Sequence, residues 1–129
     1  MKRIIGLLIL VFLTSLTSLT SETKEHKCTA THYDTEKFPI VHRKHSTAAI
    51  SYDLIKRFKI KVGKKEKGIV KKQGGFLIIT NLSNNKSDTV EVTDMCAAGP
   101  NHVDLSKTSF SKIEDLKKGR IIVIVKKVI

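Results

Sequence analysis

The chain has 129 residues, a formal net charge of +12, two cysteines and no tryptophan. That length suits one domain with a modest core. The sequence lacks zinc-type Cys/His spacing and aromatic-rich RNA-binding motifs, which argues against a metal module and a nucleic-acid partner; the charge favours other anionic partners, such as acidic polysaccharides or cell-wall polymers.

Met1-Lys2-Arg3 precedes an apolar run over residues 4–13 and a small, polar exit over 14–21. These are the parts of a secretory signal peptide. The run is too short to span a bilayer, which takes about 20 residues. Cleavage near Thr20 gives a layout of signal peptide 1–20, a flexible segment 21–27 and one domain over 28–129. The mature protein is expected outside the cell, monomeric and free of the membrane. Cys28 and Cys96 both follow the cleavage site. An even count in an oxidising compartment suggests a disulfide, with two free buried thiols as the alternative.

Residues 29–33 are rich in β-branched and aromatic side chains and suit a strand. Residues 34–46 are polar, contain Pro39 and suit a loop. Ser51 is a candidate N-cap for a short helix carrying Leu54, Ile55 and Phe58 on one face. Residues 56–72 hold nine Lys or Arg against the single acid Glu66. They suit a lysine-decorated hairpin, either a solvated edge or an anion-binding surface. Residues 76–80 and 89–93 form a hairpin around Asn84-Asn85. Asn81 and Asn85 each begin a glycosylation sequon. Residues 94–100 read as a loop. Ser106 reads as the N-cap of a helix carrying Phe110, Ile113 and Leu116, which Gly119 stops. Residues 120–125 read as a closing strand buried on both faces. Short strands with two small helices suit a closed β-barrel.

Two carboxylates stand out. Asp94 ends a predicted strand, and Asp104 lies ten residues on, at the entrance to the second helix. Brought together, two acids raise one pKa, which makes a general acid. The plainer alternatives are a helix-start residue for Asp104 and an Asx-turn for Asp94. The histidines show no metal spacing, and no cofactor motif is present. His102 is the one histidine placed near Asp104.

The string Val92-Thr93-Asp94-Met95-Cys96 resembles the strand-end T-D-x-C of barwin and expansin-type domains. Asn101-His102-Val103-Asp104-Leu105-Ser106, then Phe110 and Ile113, resembles their H-x-D-L-S…F-x-x-I segment. Gly119-Arg120-Ile121-Ile122-Val123 resembles their closing strand, Thr29-Ala30-Thr31-His32-Tyr33 their A-T-x-Y opening strand, and Ser46-Thr47-Ala48-Ala49-Ile50-Ser51 their T-A-A stretch. Thr80-Asn81 with Val90 and Val92 resembles a hairpin of rare lipoprotein A. The motifs keep the family order over residues 28–126.

The resemblance implies an all-β fold, a six-stranded double-psi β-barrel with two short helices and a groove across one face. It implies that Asp104 is the key acid, that Asp94 assists it, and that Thr31 and Tyr33 line a polysaccharide groove beside His102. Related endoglucanases use the acid at the Asp104 position as proton donor, with an aspartate base near the opening strand; Asp34 lies close to that position, but the local sequence is one residue short of their pattern. Lytic transglycosylases of the rare-lipoprotein-A type need a histidine where Ile50 stands. These departures favour a secreted, non-hydrolytic binder of wall polysaccharide. The alternatives are a protein-binding module, inhibitor or effector, on the same barrel, and a glycan-cleaving enzyme.

Overall fold

The structure is a computed structural model that describes residues 24–33, 45–66 and 69–129. The expected signal segment, the Pro39 loop and Asp34 lie outside the described residues. In chain order the elements are β1 (Glu25–Tyr33), β2 (Thr47–Ser51), α1 (Tyr52–Phe58), β3 (Lys64–Glu66), β4 (Ile69–Lys72), β5 (Phe76–Asn81), β6 (Ser87–Cys96), β7 (His102–Ser106), α2 (Lys107–Ile113), a 3-10 turn (Leu116–Lys118) and β8 (Arg120–Lys127).

Six strands close into a barrel in the order β1-β7-β2-β6-β5-β8, and β3 and β4 form a separate ribbon. β1 runs parallel to β7 and β2 parallel to β6; the other barrel neighbours are antiparallel. This is the expected six-stranded double-psi barrel. Closure leaves no free edge in the barrel, so the exposed-edge problem is confined to the lysine-bearing ribbon.

Alternation fills the interior. Ala30, Ala48, Ile50, Leu77, Ile79, Val90, Val92, Val103, Leu105, Val123 and Val125 are fully buried. Leu54 and Phe58 of α1, with Phe110 and Ile113 of α2, belong to the same core. α1 follows the end of β2 and α2 follows the end of β7. Because β2 and β7 are antiparallel, the two helices plug opposite ends of the barrel.

Four local expectations change. β1 starts at Glu25, inside the segment expected to fray, because Glu25–Lys27 pair with Ile124–Lys126 of β8. β8 is not buried on both faces: it alternates, and Ile122 is 42% exposed. Among the described residues, no second layer covers its outer face. α2 ends at Ile113, and Leu116 opens the separate 3-10 turn capped by the Asp115 side chain. Asn81 and Asn84 of the β5–β6 turn both donate to the Ile113 carbonyl at 2.9 Å, which ends the helix there. Ser51 precedes α1 but does not cap it with its side chain; its hydroxyl instead accepts the His102 N–H at 3.1 Å.

Ser106 does cap α2, accepting the Ser109 N–H at 3.3 Å. The same hydroxyl accepts the Thr47 N–H at 3.1 Å and donates to the His45 carbonyl at 3.2 Å. One buried side chain thus starts α2 and fixes the start of β2.

Candidate functional site

Asp104 is not at a helix entrance. It sits in the middle of β7, with Thr31 of β1 opposite it on one side and Ala49 of β2 on the other. Val103 and Leu105 point into the core, so Asp104 points outward by strand alternation. The run His102–Ser106 sets only two apolar residues, Val103 and Leu105, among polar ones, and its position between β1 and β2 makes it a strand.

Asp94 also belongs to a strand, since β6 runs to Cys96 rather than ending at Thr93. Its direction depends on a β-bulge. Val90 and Val92 are buried, so simple alternation would turn Asp94 inward. The register instead steps from Ala48↔Val92 to Ala49↔Asp94, leaving Thr93 as the extra residue. The bulge re-aims the chain and sets Asp94 outward beside Ala49. Glycines make room for it. The Val92 carbonyl accepts the Gly63 N–H at 2.8 Å and its N–H donates to the Gly75 carbonyl at 2.9 Å. A Cβ on Gly74 would fall on the Val92 carbonyl oxygen, and one on Gly63 would come 2.6 Å from the Gly74 nitrogen.

The registers assemble one lateral row on the outer surface: Arg120, Thr31, Asp104, Ala49 and Asp94, one residue from each of five adjacent strands. Four strand spacings of about 4.8 Å make the row about 19 Å along the curved surface. The two acids share a face but do not touch, because β2 lies between them. The side chain of Asp94 accepts its neighbouring Met95 N–H at 2.8 Å.

Asp104 is held by a chain of hydrogen bonds. Thr31 Oγ1 donates to Asp104 Oδ1 at 2.9 Å and contacts His102 Nε2 at 2.8 Å. The hydroxyl has one proton, given to the carboxylate, so it accepts from His102 and the imidazole proton lies on Nε2. Burial pushes the His102 imidazole below its ordinary pKa; the Asp104 carboxylate pulls it up and Arg120 pushes it further down. His102 is only 5% exposed. It therefore acts on Asp104 through Thr31 and does not face solvent broadly. Tyr33 lies on the same face as Thr31, and its hydroxyl bonds Thr47 Oγ1 at 2.6 Å. Burial raises the Tyr33 pKa, the Thr47 bond lowers it, and the Asp104 and Asp94 carboxylates add to the rise. The phenol thus stays neutral, in the field of both acids.

The fold is that of the expansin-type double-psi β-barrels. A mutant expansin of Clavibacter michiganensis, solved in complex with cellohexaose, superposes with a TM-score of 0.60 at 19% identity, covering 82% of this chain and 51% of that one. The apo expansin of the same organism matches at TM-score 0.59 and 21% identity. A Streptomyces papain inhibitor matches at TM-score 0.59 and 18% identity, covering 82% of this chain and 96% of the inhibitor. This chain thus spans about half the length of the expansins and nearly all of the inhibitor. No family model matches the sequence, and no curated protein is significantly similar to it.

Of the residues expected at the expansin-type groove, Thr31, Asp104 and His102 form one hydrogen-bonded unit, and Asp94 and Tyr33 share its face. The expected disulfide is not formed: Cys28 and Cys96 are free thiols. Each sulfur is turned to a main-chain carbonyl, Cys28 to His26 at 3.8 Å and Cys96 to His102 at 3.9 Å. Burial, with a smaller push from Asp53, raises the Cys28 pKa to about 12, and burial also raises that of Cys96. Neither is poised as a thiolate for exchange. Among the described residues, no cluster of His, Cys, Asp or Glu is suited to a metal ion.

Sequence reasoning missed Arg120. Alternation from the buried Val123 and Val125 places it away from the core, but no local pattern shows that β8 sets it opposite Thr31.

Proposed function

We propose that this protein is a secreted module that binds extracellular or cell-wall polysaccharide in a groove centred on Asp104, without hydrolysis. The observation that carries this reading is the five-strand row with Asp104 at its centre, its carboxylate already oriented by Thr31 and His102. Held in this way, Asp104 offers Oδ2 as an acceptor for a sugar hydroxyl, and Asp94 offers a second acceptor across β2. Groups oriented before the ligand arrives lose little entropy on binding it. The acids are separated by a strand, which suits hydrogen bonding along a glycan rather than two carboxyls sharing one proton. The similarity to an expansin solved with cellohexaose supports a glucan-like polymer.

The test is co-sedimentation with cellulose, chitin and peptidoglycan, with product analysis of the supernatant. Asp104→Asn keeps the Thr31 hydrogen bond, because the amide oxygen still accepts. We expect it to weaken binding to the preferred polymer about tenfold, by the loss of a charged acceptor, with no released ends for either protein. Unchanged binding in Asp104→Asn overturns the groove reading, and released ends that vanish in that variant convert it to an enzyme reading.

One observation favours a second reading. This chain covers 96% of the Streptomyces papain inhibitor but only half of each expansin. A papain inhibitor is thus built on little more than a single barrel of this fold. Inhibition of papain-type proteases that persists in Asp104→Asn would establish that reading in place of the first.

A further inference from the structure

The row through Asp104 ends at Arg120, and this end carries a distinct chemistry. Arg120 pairs with Thr31 in register, two strand spacings from Asp104. That is about 10 Å between backbones, a span that a disaccharide covers. The side chain is exposed, and among the described residues it makes no ion pair. On its other side lies a cleft of about 410 Å³, lined among others by Lys118, Arg120, Leu82, Ile122 and Glu114. Ile122 is two residues along β8, so it shares the outward face of Arg120, and with Leu82 it offers apolar surface for the C–H face of a sugar. Among the described residues, Glu114 is the one acid in the cleft. Its Oε1 accepts the Asp115 N–H at 2.9 Å and its Oε2 accepts the Asn81 amide at 3.2 Å, so both oxygens are turned to the protein.

We propose that Arg120, with Lys118 beside it, binds the carboxylate of a uronic-acid residue of the polysaccharide, about one disaccharide from Asp104. This rests on the groove reading above and names the substrate class within it: an acidic glycan, with neutral sugar at the Asp104 centre and its charge toward β8. A guanidinium matches a carboxylate in a two-bond geometry that an ammonium does not reproduce. The row therefore has polarity, with anionic acceptors at one end and a cation at the other, and it fixes the direction in which the glycan lies.

The experiment compares cellohexaose with a cello-oligosaccharide of the same length oxidised to carboxylate at C6, by titration calorimetry at one fixed low ionic strength. Wild type is expected to bind the carboxylated oligomer about tenfold more tightly. That ratio should fall toward one in Arg120→Gln, recover in part in Arg120→Lys, and persist in Lys127→Gln. Lys127 removes the same charge from the far end of β8. A ratio unchanged in Arg120→Gln, or lost equally in Lys127→Gln, overturns the assignment of the site to Arg120. Two further outcomes separate this inference from the reading beneath it. If Asp104→Asn weakens cellohexaose binding but wild type shows no preference for the carboxylate, only the Arg120 inference falls. If wild type binds neither oligomer, this inference falls and the sedimentation assays with chitin and peptidoglycan decide the groove reading; if Asp104→Asn changes neither affinity, the groove reading falls and takes this inference with it.

Discussion

Thr31 links His102 to Asp104 with a single hydroxyl, and the direction of its proton determines the state of both neighbours. Donation to Asp104 requires the imidazole to arrive as a neutral Nε2–H donor, or as a cation. Burial opposes the cation, so the folded His102 has a pKa below the ordinary value of about 6.5. In the unfolded chain the imidazole takes up its proton near pH 6.5; in the folded protein it does so only at lower pH. Above the unfolded value both states are neutral and folding gains its full stability. As the pH falls below about 6.5 the unfolded state binds more protons, and stability declines until the folded pKa is passed. Urea unfolding from pH 7.5 down to about pH 5 should show this decline, and His102→Gln should flatten it in that window. An identical pH slope in the variant would mean that other groups cause the decline.

At the scale of elements, the decisive feature is the bulge in β6. It converts an inward position into an outward one, so Asp94 joins the face that carries Asp104. The crossing of residues 61–63 and 73–75 at Val92 holds the bulge, and it depends on Gly63 and Gly74 having no side chain. The obstacle at Gly74 is backbone, which cannot swing away as a flexible side chain could. Gly74→Ala is expected to destabilise the fold by about 3 kcal/mol, at the upper end for overpacking, and chemical denaturation would measure it. A loss under about 0.5 kcal/mol would mean that the crossing relaxes without cost. The sequence shows a glycine pair at this point, and a turn is its simplest local meaning. The close approach to Val92, far along the chain, is invisible there. β2 and β7 were also illegible as strands from their own residues. Each is five residues long, with Ile50 the one large apolar side chain of β2 and Val103 and Leu105 those of β7, and each becomes a strand by lying between partners.

At the scale of the whole molecule, 24 Lys and Arg face 12 Asp and Glu. This excess acts over distance and does not depend on the groove. Exposed charges are screened beyond about 10 Å at 0.1 M salt, whereas partly buried contacts are screened much less. Adsorption to an acidic polymer should therefore fall about tenfold between about 0.05 M and about 0.5 M salt. The difference between wild type and Asp104→Asn on a neutral polymer should change little over the same range. Sedimentation assays at several salt concentrations separate the two contributions. Salt-independent adsorption to an acidic polymer would show that the surface charge does not steer binding.

The sequence by itself determined which residues are apolar at period two, and hence most strand interiors, the main hairpin and the helix that starts at Ser106. Its ordered motifs placed Asp104, Asp94, Thr31, Tyr33 and His102 in one expected groove, and the fold agrees with the barrel those motifs imply. Only the tertiary structure decided that Asp104 is central in a strand, that Asp94 turns outward, that the cysteines remain thiols and that Arg120 completes the row. The reason is physical. Side-chain periodicity records which face of its own element a residue takes, whereas register comes from pairing between distant segments. Thr31 meets Asp104 across 73 residues of chain, and no local pattern carries that information.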